Sequence, residues 1–178
     1  MRVHVWWTFA PLLPRPGIRL DHRRVPAKSH WATTPRQSIE AECAHQGATA
    51  VIAGCVRLIH GKDTDAGLIL ALGGPAANRF LDGRSHNDRY WLRVWGLRGL
   101  LWAWDDSAEP AIRKAVQKAV RKALVDESWR VREMAAKVIS KHSIGDAMAA
   151  VAALRDDPVA RARTAAERAV RLLSQAGA

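Results

Sequence analysis

Residues 126–139 read DESWRVREMAAKVI and residues 157–170 read DPVARARTAAERAV, and these two stretches decide the fold. They register at a period of 31 residues. Arg130 falls on Arg161, Arg132 on Arg163, Ala135 on Ala166, Lys137 on Arg168 and Ile139 on Val170. The mostly apolar set Val131, Met134, Ala135, Val138, Ile139 and His142 falls on Ala162, Ala165, Ala166, Ala169, Val170 and Leu173. A spacing of i, i+3, i+4, i+7, i+8 and i+11 is one continuous face of a helix.

Working upstream, a third copy lies at an offset of 39, where Leu92, Trp95, Gly96, Gly99, Leu100 and Ala103 occupy the same face. Arg93 then stands for Arg132, and Arg98 for Lys137. The eight extra residues, worth about 12 Å of helix, sit in the helix containing AVQKAVRKAL, which is longer than its counterpart IGDAMAAVAAL. Each unit is thus a helix pair, a variable first helix and a more regular second, and neither buries its apolar face alone. Stacked units bury it together.

Residues 88–174 resemble the HEAT repeat family in its short form of about 30 residues, shared with phycobilisome-lyase-like repeats. Asp126, Val131, Arg132 and Ala135 match the family's Asp, Val-Arg and Ala pattern; Asp157, Arg163 and Ala166 match it again, with Ala162 for the valine. WLRVWGLRGLLWAWDD and WRVREMAAKVI also look like small actinobacterial HEAT-repeat proteins. The resemblance implies an all-α chain, a short right-handed α-solenoid of stacked helix pairs. It also implies that Asp126, Arg132, Asp157 and Arg163 form a ladder between neighbouring units, with Asp88 and Arg93 as a weaker first rung. These charges are then scaffold, since buried charges persist mainly when paired.

The helical pattern begins at Thr34 and Pro35, an N-cap followed by a first-turn proline. Helices are predicted at 35–46, 48–60, 65–72, 75–82, 89–104, 107–124, 128–141, 144–155 and 158–174, with glycines and prolines at their ends. Residues 34–178 form one helical domain on this reading, with 34–87 as irregular capping helices and 88–174 as the repeats. Residues 1–33 scatter Pro11, Pro14, Pro16 and Pro26, with Pro35 just past the boundary, and read as a basic, irregular or disordered arm. Its apolar stretch from Val5 to Leu13 contains a proline and ends in Arg15, unlike an export signal, and Arg23-Arg24 lacks the apolar region of a twin-arginine signal. A cytoplasmic location is expected.

The net charge is +11, which favours acidic partners. Residues 1–38 hold seven Lys and Arg against Asp21, for +6, and residues 39–178 hold 21 against 16, for +5. Apolar runs such as Gly47 to Val56 are far shorter than the roughly 20 residues that span a bilayer, so no membrane partner is expected. In the repeats, Arg98, Lys137 and Arg168 share one column on successive second helices, as do Arg130 and Arg161, while Ser140 precedes Arg171 in another. Second helices of HEAT units line the concave surface, so the resemblance implies a basic trough there, suited to phosphates. On the helix at 107–124, Ile112, Val116, Val120 and Leu124 oppose Arg113, Lys114, Lys118, Arg121 and Lys122, which reads as a solvated convex face. Trp95 reads as core, whereas Trp91, Trp102 and Trp129 read as inter-repeat packing or as stacking platforms.

Metal and catalytic chemistry find little footing. Cys43 and His45 point about 200° apart on a helix and cannot clasp one ion, so Cys43 and Cys55, with His60 near by in the chain, read as helical core cysteines rather than metal ligands. Asp105-Asp106 and Asp156-Asp157 sit where helices begin, which capping explains. No cofactor and no catalytic residue is expected. Two functions remain: a non-enzymatic scaffold whose surface, including Arg98, Lys137, Arg168, Arg130, Arg161, Arg171, Trp129 and Trp91, binds a protein partner; or a nucleic-acid binder using the same trough and the arm. At its extreme the second resembles HEAT-like DNA glycosylases, which pair a carboxylate with tryptophans in the trough, or less closely a bilin lyase.

Overall fold

The computed structural model describes residues 33–104 and 108–176. The predicted arm, with Trp6, Trp7 and Trp31, and the Asp105-Asp106 pair lie outside the described residues, Thr33 excepted. All regular structure among the described residues is helical. The order is α1 (Pro35–Gln46), α2 (Ala48–Ile59), α3 (Ala66–Gly73), a 3-10 segment (Gly74–Leu81), α4 (Tyr90–Ala103), α5 (Pro110–Ala123), α6 (Trp129–Lys141), α7 (Met148–Ala152) and α8 (Ala160–Ala176).

Local chemistry sets these limits. The Thr34 side chain accepts from the backbone N–H of Gln37, and Gln37 Oε1 accepts from the Thr34 N–H at 2.9 Å, a reciprocal cap ahead of Pro35. Asp126 Oδ1 accepts from Ser128 N at 2.9 Å and Asp157 Oδ1 accepts from Val159 N at 2.8 Å, so the entries to α6 and α8 are built alike, 31 residues apart. Two predicted α-helices come out differently. The segment at 75–82 is 3-10, and its buried residues, Ala77 and Phe80, are three apart, the spacing at which a 3-10 turn stacks side chains. The helix at 144–155 shrinks to the five residues of α7 between 3-10 turns at Gly145–Ala147 and Ala153–Asp156. Ala147, Val151 and Leu154 still bury, and the tight turns satisfy end groups that so short a helix leaves open.

Packing follows the apolar faces. α4 packs against α2, α6, α3 and α1; α6 packs against α4 and α8; α5 bridges α2 and α6; and α7 closes on α8. Val131, Ala135, Val138 and Ile139 of α6 and Ala162, Ala166 and Ala169 of α8 are fully buried. α4 is buried most broadly, and its Trp95 meets Phe80 edge-on at 5.5 Å between ring centroids. No helix among the described residues is long and apolar enough to cross a membrane.

Candidate functional site: a groove between α6 and α8

Two of the ion pairs expected of the ladder form, tying α4 and α6 to the turns ahead of α6 and α8, while Asp88 and Arg163 pair otherwise. Arg93 Nε lies 2.8 Å from Asp126 Oδ2, and Arg93 Nη2 reaches Glu127 at 3.0 Å. One unit on, Arg132 Nε meets Asp157 Oδ2 at 2.6 Å and its Nη2 meets Oδ1 at 3.0 Å. Asp88 turns the other way and pairs with Arg79 at 2.5 Å. Arg163 donates from Nη1 to the carbonyls of Asp157 at 2.7 Å and Pro158 at 3.2 Å. Hydrogen bonds from Arg132 and from Val159 N–H hold the Asp157 carboxyl below its usual range against the effect of burial, and the same pair raises Arg132.

Beside this ladder an open groove of about 750 Å³ runs between α6 and α8 and ends at the C-terminus of α4. Leu101, Trp102, Ala165 and Leu172 supply its apolar lining; Lys137, Lys141, Arg161 and Arg168 supply its cations; Ser140 and Thr164 add hydroxyls. Its carboxylate is Glu133, 9% exposed. Glu133 Oε1 receives Lys137 Nζ at 2.8 Å and Arg161 Nη2 at 3.3 Å. Trp102 is 37% exposed, with Lys141 Nζ 3.6 Å from its ring centroid on one contact and the Arg36 guanidinium at 5.1 Å on another. Lys141 Nζ also donates to the Leu101 carbonyl. Burial, aided by Arg36, lowers the Lys141 pKa.

The predicted column divides. Lys137 and Arg168 line the groove, but Arg98 does not. α1 packs on α4, and Arg98 is half-buried between the two, facing Pro35, Ser38 and Gly73 and, on its other side, Trp91 and Trp95. Burial lowers its pKa. The same repeat position is therefore a groove wall on α6 and α8 and an inter-helix position on α4. Arg171 is exposed outside the groove.

Trp91 and Trp129 are half-buried rather than open platforms. The Arg130 guanidinium lies 4.4 Å from the Trp129 ring centroid, 5.5 Å from that of Trp91 and 5.9 Å from that of Tyr90, and Arg161 lies 5.3 Å from Trp129. Alternating cations and rings thus seam the outer ends of α4, α6 and α8 together.

No family model matches the chain, and neither a curated protein nor a solved structure does. The groove must speak for itself. Sequence reading missed Glu133, Lys141 and Leu172 as its members, and singled out Trp102 only as inter-repeat packing or a stacking platform. A signal for them existed: Trp102, Lys141 and Leu172 lie one helical turn beyond Arg98, Lys137 and Arg168 at the same offsets of 39 and 31, and Glu133 and Thr164 lie one turn before. Among the described residues no cluster of His, Cys, Asp and Glu is placed to hold a metal. Cys43 and Cys55 are free thiols, Cys55 buried in the core.

Proposed function

We propose that this chain is a short HEAT-like α-solenoid that acts as a non-enzymatic interaction module, with the groove between α6 and α8 as the docking surface for a protein. The observation that carries the proposal is the engagement of the trough's charges. Lys137 and Arg161 share one oxygen of Glu133, and Arg98 is absent from the groove, so the expected free row of cations is replaced by apolar lining within a partly neutralised rim. Surfaces of that make-up suit protein partners, which bury apolar centres inside polar rims. The successive ion pairs Arg93–Asp126 and Arg132–Asp157 and the matched entries to α6 and α8 support the solenoid reading, since they repeat one inter-unit contact.

One observation favours nucleic acid as the second reading: Trp102 is exposed in the same groove as Lys137, Arg161 and Arg168, and aromatic faces beside cations stack bases. Two measurements separate the readings. A photo-crosslinking residue at Thr164 should yield a protease-sensitive adduct in cells that the same residue at Lys114 on α5 does not. Anisotropy of labelled duplex DNA and structured RNA should show affinity lost by physiological salt. A nuclease-sensitive adduct, or salt-resistant binding that falls with Lys137→Ala and Arg168→Ala, would give the function to nucleic acid.

A further inference from the structure

We infer, resting on the protein-docking reading, that the occupant of the groove is an acidic amphipathic helix. Shape is the first argument. On α8 the wall runs from Arg161 through Thr164, Ala165 and Arg168 to Leu172, and on α6 from Glu133 through Lys137 to Lys141. The α8 wall is about 17 Å long at 1.5 Å per residue, the length of about three turns of a helix laid beside it. A valley between two packed helices, lined by i and i+4 rows, accepts the ridge of a third. Ala160 and Ala165 leave room for a close approach, and the exposed part of Trp102, beside Leu101 and Leu172, gives apolar anchors a seat.

Charge is the second argument. Four cations line the groove against one carboxylate. That carboxylate binds Lys137 and Arg161 through a single oxygen, and Arg168 pairs with no acid among the described residues. Carboxylates along the flanks of a docked helix would meet these donors, while its apolar face meets the floor. A duplex phosphate backbone would gain nothing from the apolar floor and would face Glu133. The chain's own residues 1–32, with six Lys and Arg against Asp21, carry the wrong sign for this rim. A second copy, at net charge +11, does too.

The test uses the full chain and a fluorescein-labelled helical peptide of about four turns, with Leu and Phe on one face and Glu on the other. Controls are the same peptide with Lys for Glu and a Glu-rich peptide lacking the apolar face. We expect the acidic amphipathic peptide to bind. Lys137→Glu with Arg168→Glu should weaken it about tenfold or more and Trp102→Ala about threefold or more. Lys114→Glu with Lys118→Glu on α5, an equal change of charge, should alter it less than about twofold. Arg168→Glu alone breaks no hydrogen bond or ion pair among the described residues and keeps the test open if the double variant does not fold. Equal loss from the α5 reversal, or equal binding of either control peptide, overturns the inference. Failure of all the peptides while the Thr164 crosslink still captures a protein also overturns it but leaves the docking reading standing; a nuclease-sensitive crosslink removes both.

Discussion

Arg132 holds Asp157 with two nitrogens of its guanidinium, Nε on Oδ2 at 2.6 Å and Nη2 on Oδ1 at 3.0 Å, while its third, Nη1, donates to the Asp126 and Glu127 carbonyls at the start of its own helix. One side chain thus ties the entry of α6 to the entry of α8. The Asp157 side chain is 2% exposed and Arg132 14%, so removing the acid strands a nearly buried cation. Asp157→Ala should cost about 3–5 kcal/mol, read from urea denaturation. Asp126→Ala should cost less, because its pair with Arg93 is more exposed and Glu127 remains beside Arg93. Equal losses would mean that the two rungs do not differ as their burial requires.

The same pair sets an acid limit. The folded Asp157 carboxyl titrates below its ordinary value of 3.8, chiefly because Arg132 donates to it. A depressed folded pKa contributes stability that is complete above the unfolded value and disappears as pH falls through the folded one. The stability advantage of the native chain over Asp157→Asn should therefore be constant from about pH 7 to pH 5. It should shrink as pH drops to 3.8 and below. Denaturation curves of both proteins across that range check the sign: an advantage that grows on acidification would contradict it.

Much of this was legible in the residues. Thr34-Pro35 marked the start of α1, and the 31-residue register between Asp126 and Asp157 anticipated two helix entries that match to the hydrogen bond. Lys137 and Arg168 were legible as neighbours for the same reason, since equal positions on stacked helices stay equal. Arg98 was not. Its fate depends on α1, more than 50 residues upstream of it in the chain by way of α2 and α3, folding back over α4; no periodicity within α4 records such a non-local contact. Likewise Glu133 sits on the groove side by the same helical spacing as Lys137, but its role as counter-ion depends on Arg161 arriving from α8.

α2 and α4 meet at two glycines that local propensity alone would replace. A Cβ on Gly96 would stand 2.7 Å from the Cys55 carbonyl oxygen, and one on Gly99 would stand 2.3 Å from Cys55 Sγ and 2.8 Å from Leu72 Cδ2. Alanine gains up to about 1 kcal/mol of helix propensity, but overpacking of a close helix contact costs about 1–3 kcal/mol. The carbonyl is backbone and cannot swing aside. Gly96→Ala should therefore lower the melting temperature, by about 2–4 °C for each kcal/mol lost; a rise would show that α4 can lift from α2 without penalty.

The two thiols should differ in reach. Burial, with Cys43 adding to it, pushes the Cys55 pKa up to about 12, and burial followed by Glu42 and Glu40 raises Cys43. Since the thiolate is the reactive form, a disulfide reagent at about pH 8 should label Cys43 slowly and leave Cys55 untouched until denaturant is added. Cys43→Ser should then abolish native labelling. Fast modification of Cys55 in the native protein would mean that the α2–α4 contact opens readily.

Arg163 repeats Arg132 with its far side vacant of acid. Its Nη1 donates to Asp157 and Pro158 as that of Arg132 donates to Asp126 and Glu127, but among the described residues no carboxylate pairs with its other nitrogens. It therefore holds only the turn ahead of α8, whereas Arg132 joins the entries of α6 and α8. Arg132→Met should lose both the turn contacts and the ion pair, leaving Asp157 buried without its cation, at about 3–5 kcal/mol. Arg163→Met loses hydrogen bonds to two neutral carbonyls, worth about 1–3 kcal/mol together. Urea denaturation of the two variants tests the difference, and an equal cost would place an acidic partner for Arg163 in the folded protein.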